Sequence, residues 1–162
     1  MSFVEASEDD RRVVESLLGR PLAGRFAVAV RRRDGRPVVI ENEPHLRDGT
    51  PMPTLYWLVD PELGEAVSRL EGAGGVHRFE DLVDPRALAA AHDAYARARE
   101  AATRRAHGPA PSGGVGGTRR GVKCLHAHLA NRLTGAEDPV GDLVAAELGV
   151  DLGAFVVEGA RG

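Results

Sequence analysis

A chain of 162 residues with 43% hydrophobic and 28% charged side chains is long enough for one substantial core, short for two, and too apolar to stay disordered. A net charge of −3 and an aromatic content of 4% argue against a basic or base-stacking nucleic-acid surface, and a single cysteine excludes an internal disulfide. No run approaches the roughly 20 apolar residues that span a bilayer, and the acidic start MSFVEASEDDRR lacks a signal-peptide layout, so the expectation is a cytoplasmic protein with no membrane partner.

The first element expected is a helix from Ser7 to Leu18, with Ser7 as N-cap, acids in the first turn and Val13, Val14, Leu17 and Leu18 at helical spacing. FAVAVRR and PVVIE then flank Asp34-Gly35 and predict a hairpin, in which Pro37 favours an edge position. After a loop containing His45, Arg47 and Asp48, MPTLYWLVD predicts a third, well-buried strand around Leu55, Tyr56, Trp57 and Leu58. Tyr56 and Trp57 are pocket candidates, although core membership explains them as well; Glu41, Asn42 and Glu43 close the preceding strand and offer carboxylates.

Asp60-Pro61 opens a helix over Glu62 to Leu70, closed by GAGG. His77 to Leu82 is short and ambiguous, with His77 projecting after a glycine turn. Asp84-Pro85 starts a long alanine- and arginine-rich helix running to about Arg105, whose thin apolar stripe suits a protein partner or close packing through small residues. Residues 108–117 read as a flexible Gly/Pro-rich loop. Further helices are expected over Thr118 to Leu133 and Pro139 to Leu148, and then a tail that packs through Phe155, Val156 and Val157. The sum is one α+β domain over 1–162: a small, mainly antiparallel three-stranded sheet against several helices, with a helical C-terminal half and frayed ends at 1–6 and 158–162.

The chemistry concentrates in GGVGGTRRGVKCLHAHLANRL, residues 113–133, which holds the only lysine, Lys123, and the only cysteine, Cys124. With Thr118 as cap, Val122, Leu125, Leu129 and Leu133 form the core face, Arg119, Lys123 and His126 a second face, and Cys124, His128 and Asn131 a third. Three chemistries compete with a bland solvated helix end. Cations in the first turns of a helix oppose its dipole, so Arg119, Arg120 and Lys123 suggest an anion that turns the conflict into attraction, with Gly113, Gly114, Gly116, Gly117 and Thr118 presenting backbone N–H groups. The run is not a Walker A loop, because the Gly-Lys-Ser/Thr end and the preceding strand are missing. In the anion reading His126 donates a hydrogen bond or moves a proton; Cys124, with His128 one turn on, is a nucleophile candidate, against the plainer reading of a small buried hydrophobe. Metal is the third possibility; His126 and His128 diverge on a helix, so only Cys124 and His128 share a face, and the expectation is no metal or other cofactor. The sequence does not decide whether the protein is an enzyme; its anion reading extends to phosphoryl hydrolysis or transfer, and its non-enzymatic alternative is an interaction module working through the helix at 85–105.

PMPTLYWL at 51–58, the run at 113–133 and DPVG at 138–141 together resemble the bacterial family known as domain of unknown function 501, over about Arg25 to Asp142. The resemblance supplies no activity. Family members are often encoded near a septum-formation initiator and an exopolyphosphatase, which implies phosphate-containing ligands or a link to cell division. Members carry a cysteine just after the Tyr-Trp strand where this chain has Val59-Asp60, a departure that weakens any metal or disulfide role shared with Cys124.

Overall fold

The computed structural model describes residues 3–103 and 108–158. Helix α1 (Glu8–Leu18) is capped by the Ser7 side chain, which accepts the Asp10 N–H, and ends on Gly19 at φ 70, a left-handed position that suits glycine. Strands β1 (Phe26–Arg32) and β2 (Pro37–Asn42) form the hairpin, β3 (Tyr56–Leu58) adds to β2, and the tail contributes a strand that the sequence reading lacks, β4 (Phe155–Val157), paired with β1. The sheet is antiparallel throughout in the order β3-β2-β1-β4. Phe155 and Val157 therefore pack as sheet residues, while Val156 faces outward.

β2 is an inner strand, so the edge position expected of Pro37 is incorrect. Proline is tolerated because it is the first residue of the strand, at the hairpin end. The sheet has apolar residues on both faces. Ile40, Phe26 and Trp57 pack with Val14 under α1, whereas Val30, Val38, Val39 and Leu58 belong to the larger core with the helices. Two-sided burial explains why Val38, Val39 and Ile40 form a continuous apolar run.

Helix α2 (Pro61–Gly72) is capped by Asp60 and α4 (Pro85–Ala101) by Asp84, each followed by proline at the first helical position. Between them the ambiguous stretch is helix α3 (Gly75–Leu82), which buries Phe79. α4 stops at Ala101 on the Ala102 cap, short of the end expected at about Arg105; residues 104 and 105 lie outside the described residues, as do 1–2 and 159–162 of the expected frayed ends. Helices α5 (Leu125–Leu133) and α6 (Pro139–Leu148) complete an α+β fold with a helical C-terminal half. Among the described residues, no helix is long and apolar enough to cross a membrane.

The main correction concerns α5, which begins at Leu125 and not at Thr118. Gly121 lies at φ 67, and the groups before Leu125 that helical bonds would otherwise use are taken by neighbouring elements. The Gly121 carbonyl accepts from His92 Nε2, the Val122 N–H donates to Glu80, and the Leu125 N–H donates to Glu71 Oε2 at 2.8 Å. A segment whose polar groups are satisfied this way gains little from coiling. Val122, Leu125, Leu129 and Leu133 are nonetheless all buried, Val122 from an extended approach rather than from a helical turn.

Candidate functional site

Cys124 is the N-cap of α5. Its backbone is extended, at φ −144 and ψ 115, and its Sγ accepts the Ala127 N–H at 3.4 Å. Two residues apart across an N-cap is not two residues apart within a helix: the extended residue swings Cys124 toward the first turn and brings it beside His126. The third member is Glu71, in the last turn of α2. One donor atom from each of Glu71, Cys124 and His126 lies within 4.8 Å of the other two, and all three residues are half-buried.

Each member is also held from outside the group. Glu71 Oε2 accepts the Leu125 N–H, while Oε1 stands 3.1 Å from His126 Nδ1. His126 Nε2 donates to the Gly64 carbonyl at 3.0 Å, with the Ser68 hydroxyl 3.2 Å away. Both ring nitrogens thus face acceptors. The hydrogen bond with Cys124, helped by the Glu71 charge and the Gly64 carbonyl against the opposing effect of burial, pushes the His126 pKa up to about 9. His126 also lines an open cleft of about 540 Å³, with an apolar wall that includes Leu17, Leu18 and Leu58 and a polar side of Ser68, Arg69 and the carboxylates of Asp60 and Glu65.

The arrangement corrects the alternative metal pairing of Cys124 with His128. His128 is fully buried, and its Nδ1 donates to the Asp138 carboxylate, 2.9 Å from each oxygen. Asp138 also accepts from Asn131 Nδ2 and caps α6 through the Val140 and Gly141 N–H groups. A Cβ on Gly141 would stand 2.5 Å from Arg132 Cβ and 2.6 Å from the His128 carbonyl oxygen. DPVG is therefore the piece that docks α6 on α5, and His128 is its structural partner, no longer a proton partner for Cys124.

The glycine-rich run is a turn pinned to α4. Val115–Gly117 forms a single 3₁₀ turn, with Gly116 at φ 69 and Gly117 at φ 79. Three of the loop's N–H groups are bonded within the protein: Gly114 to the Thr118 carbonyl, Val115 to His92 Nδ1 and Gly117 to the Gly114 carbonyl. Arg99, almost wholly buried, donates to the Gly113 and Pro53 carbonyls, and desolvation lowers its pKa. A Cβ on Gly114 would lie 2.5 Å from His92 Nδ1, so this glycine serves close packing. Thr118 donates its hydroxyl to the Arg120 carbonyl and caps nothing. Arg119, Arg120 and Lys123 are exposed, outside any helix, and enter no ion pair among the described residues, so the conflict with a helix dipole does not arise.

The remaining candidates lie elsewhere. His45 Nε2 donates to the Pro109 carbonyl, His77 is exposed on α3, Glu43 pairs with Arg25, and Asn42 donates to the Thr54 carbonyl. Tyr56 packs edge to face on Tyr95, a residue the sequence reading passes over, whose hydroxyl accepts the Leu55 and Tyr56 N–H groups. Burial pushes both phenols up, Tyr95 to about 12. Glu71 is the member of the cluster that the sequence reading missed. Its signal was a carboxylate in the last turn of a helix, where the dipole disfavours it and a compensating partner is expected.

The family described as a protein of unknown function (DUF501) matches residues 28–146. The chain belongs to this family. The match takes in Glu71, Cys124, His126, His128 and Asp138, and so spans the cluster and the α5–α6 joint together. No curated protein and no solved structure matches the chain.

Proposed function

We propose that the protein binds a small ligand in the cleft beside His126, with the Glu71–Cys124–His126 cluster as its chemical centre. The observation that carries this reading is the convergence of three reactive side chains, from the end of α2 and the start of α5, one of which, His126, lines a cleft with an apolar wall. The ligand is a compound with an apolar body and an anionic, phosphate-bearing end. Its anion is attracted by Arg69 on the cleft wall. This moves the anion site expected at Gly114, Gly116, Gly117, Thr118, Arg119, Arg120 and Lys123 to the cleft that His126 lines, because three of the loop's N–H groups are bonded within the protein and its cations stand outside any helix.

A thiol–imidazole–carboxylate relay fits the cluster less well. In such a relay the imidazole stands between nucleophile and carboxylate and uses opposite nitrogens. Here the carboxylate is on Nδ1 and a backbone carbonyl holds Nε2.

The test is an NMR titration with phenyl phosphate. Binding should shift resonances of Ser68, Arg69 and His126, and Arg69→Ala should weaken it by about tenfold, the loss of one charge-assisted contact. Shifts confined to residues 113–121, or none at millimolar ligand, would reject the cleft as the site.

A further inference from the structure

We infer that Glu71, Cys124 and His126 form a three-ligand site for a zinc-class divalent ion, with one coordination position left open to ligand. The inference deepens the reading of the cleft, since it rests on the same cluster and names what attracts an anion there. Three observations carry it.

The first is convergence. The three donor atoms lie within 4.8 Å of one another, and His126 Nδ1 and Glu71 Oε1 are 3.1 Å apart. Ligand bonds of about 2.0 to 2.3 Å in a tetrahedron place donors about 3.3 to 3.6 Å from one another, so the cluster closes on an ion with small side-chain movements.

The second is support from outside the set. A ligating histidine characteristically donates its other ring N–H to a carbonyl or carboxylate, and ligating carboxylates are themselves hydrogen-bonded. His126 Nε2 donates to the Gly64 carbonyl, Glu71 Oε2 accepts the Leu125 N–H, and Cys124 Sγ accepts the Ala127 N–H. These bonds orient all three residues while leaving Nδ1 and Oε1 directed at each other.

The third is donor chemistry. One sulfur, one nitrogen and one oxygen suit zinc and its first-row neighbours, whereas magnesium and calcium take oxygen ligands. Three protein ligands leave the fourth position to water or to an anion, the arrangement of catalytic rather than structural zinc. His128 has no part in the set, because it is committed to Asp138.

Cobalt(II) reports on such a site directly, through a sulfur-to-metal charge-transfer band in the near ultraviolet and tetrahedral d–d bands in the visible. Metal-stripped protein titrated with cobalt should show both at one equivalent, and zinc should displace them. Cys124→Ser should abolish the charge-transfer band while the protein stays folded, because serine is among the best N-cap residues. Glu71→Gln keeps an acceptor for the Leu125 N–H and should weaken cobalt binding by about a hundredfold, since losing a charged ligand costs at least as much affinity as losing a partner that only orients one. Folded parent protein with no band at stoichiometric cobalt, or a band that survives Cys124→Ser, would overturn the assignment. Phenyl phosphate binding is measured separately, on the metal-stripped and on the cobalt-loaded protein. Phosphate binding without cobalt binding sinks the metal and leaves the cleft reading standing, and cobalt binding with no phenyl phosphate binding to either form sinks the cleft reading alone.

Discussion

Cys124 and His126 meet because one residue, Cys124, is extended where the next is helical. The same meeting sets a measurable property of the metal-free protein. With the thiol group, the Glu71 carboxylate and the Gly64 carbonyl around its ring, His126 holds its proton up to about pH 9 against an ordinary value of 6.5. Because the folded value lies above the unfolded one, the proton stabilises the fold fully below about 6.5, and this contribution fades as pH rises through about 9. Proton NMR of the metal-free chain should therefore show one imidazole titrating near 9, and thermal stability should fall between pH 7 and 9 more steeply in the parent than in His126→Gln. A ring titrating near 6.5 would mean that none of these three partners acts on it. The half-buried position of the ring means that solvent screens part of the effect.

At the scale of elements, the joint between α5 and α6 is built from Asp138, His128, Asn131 and Gly141. Gly141→Ala places a methyl against the backbone of α5 and should destabilise by about 1 to 3 kcal/mol, the usual cost of overpacking. Asp138→Ala removes the partner of a buried histidine and the cap of α6 at once, and should cost about 3 to 5 kcal/mol. Chemical denaturation of both variants checks these values; an unchanged midpoint for Gly141→Ala would show that the helices separate easily. Much of this scale is legible in the sequence, since the Ser7, Asp60, Asp84 and Asp138 caps and the prolines after three of them mark helix starts locally. The start of α5 is not legible. The run from Thr118 has acceptable helical spacing, and what prevents a helix is the set of bonds from His92, Glu80 and Glu71, residues 29 to 54 positions away in sequence. The fourth strand was hidden for a related reason: Phe155–Val157 is too short to announce itself and depends on the free edge of β1.

For the whole molecule, α2 and α5 converge at their ends, and that convergence creates the cluster. Composition and pattern give the α+β class, the hairpin and the helical C-terminal half, all of which depend on periodicity within each segment. They also single out Cys124 and His126, but assign them to different faces and supply no Glu71, because a contact between distant segments leaves no spacing to read. The glycine-rich run attracted the anion reading through its composition, yet Gly114 serves the packing against His92 on α4. What remains distinctive about the molecule is a sulfur, a nitrogen and an oxygen donor brought together beside a cleft. Anomalous diffraction from crystals grown with one equivalent of zinc tests this most directly. A single strong peak is expected about 2.0 to 2.3 Å from Cys124 Sγ, His126 Nδ1 and Glu71 Oε1, with a fourth, non-protein ligand. A peak held by His128, a peak at residues 113–121, or no peak at this cluster in well-ordered crystals would contradict it.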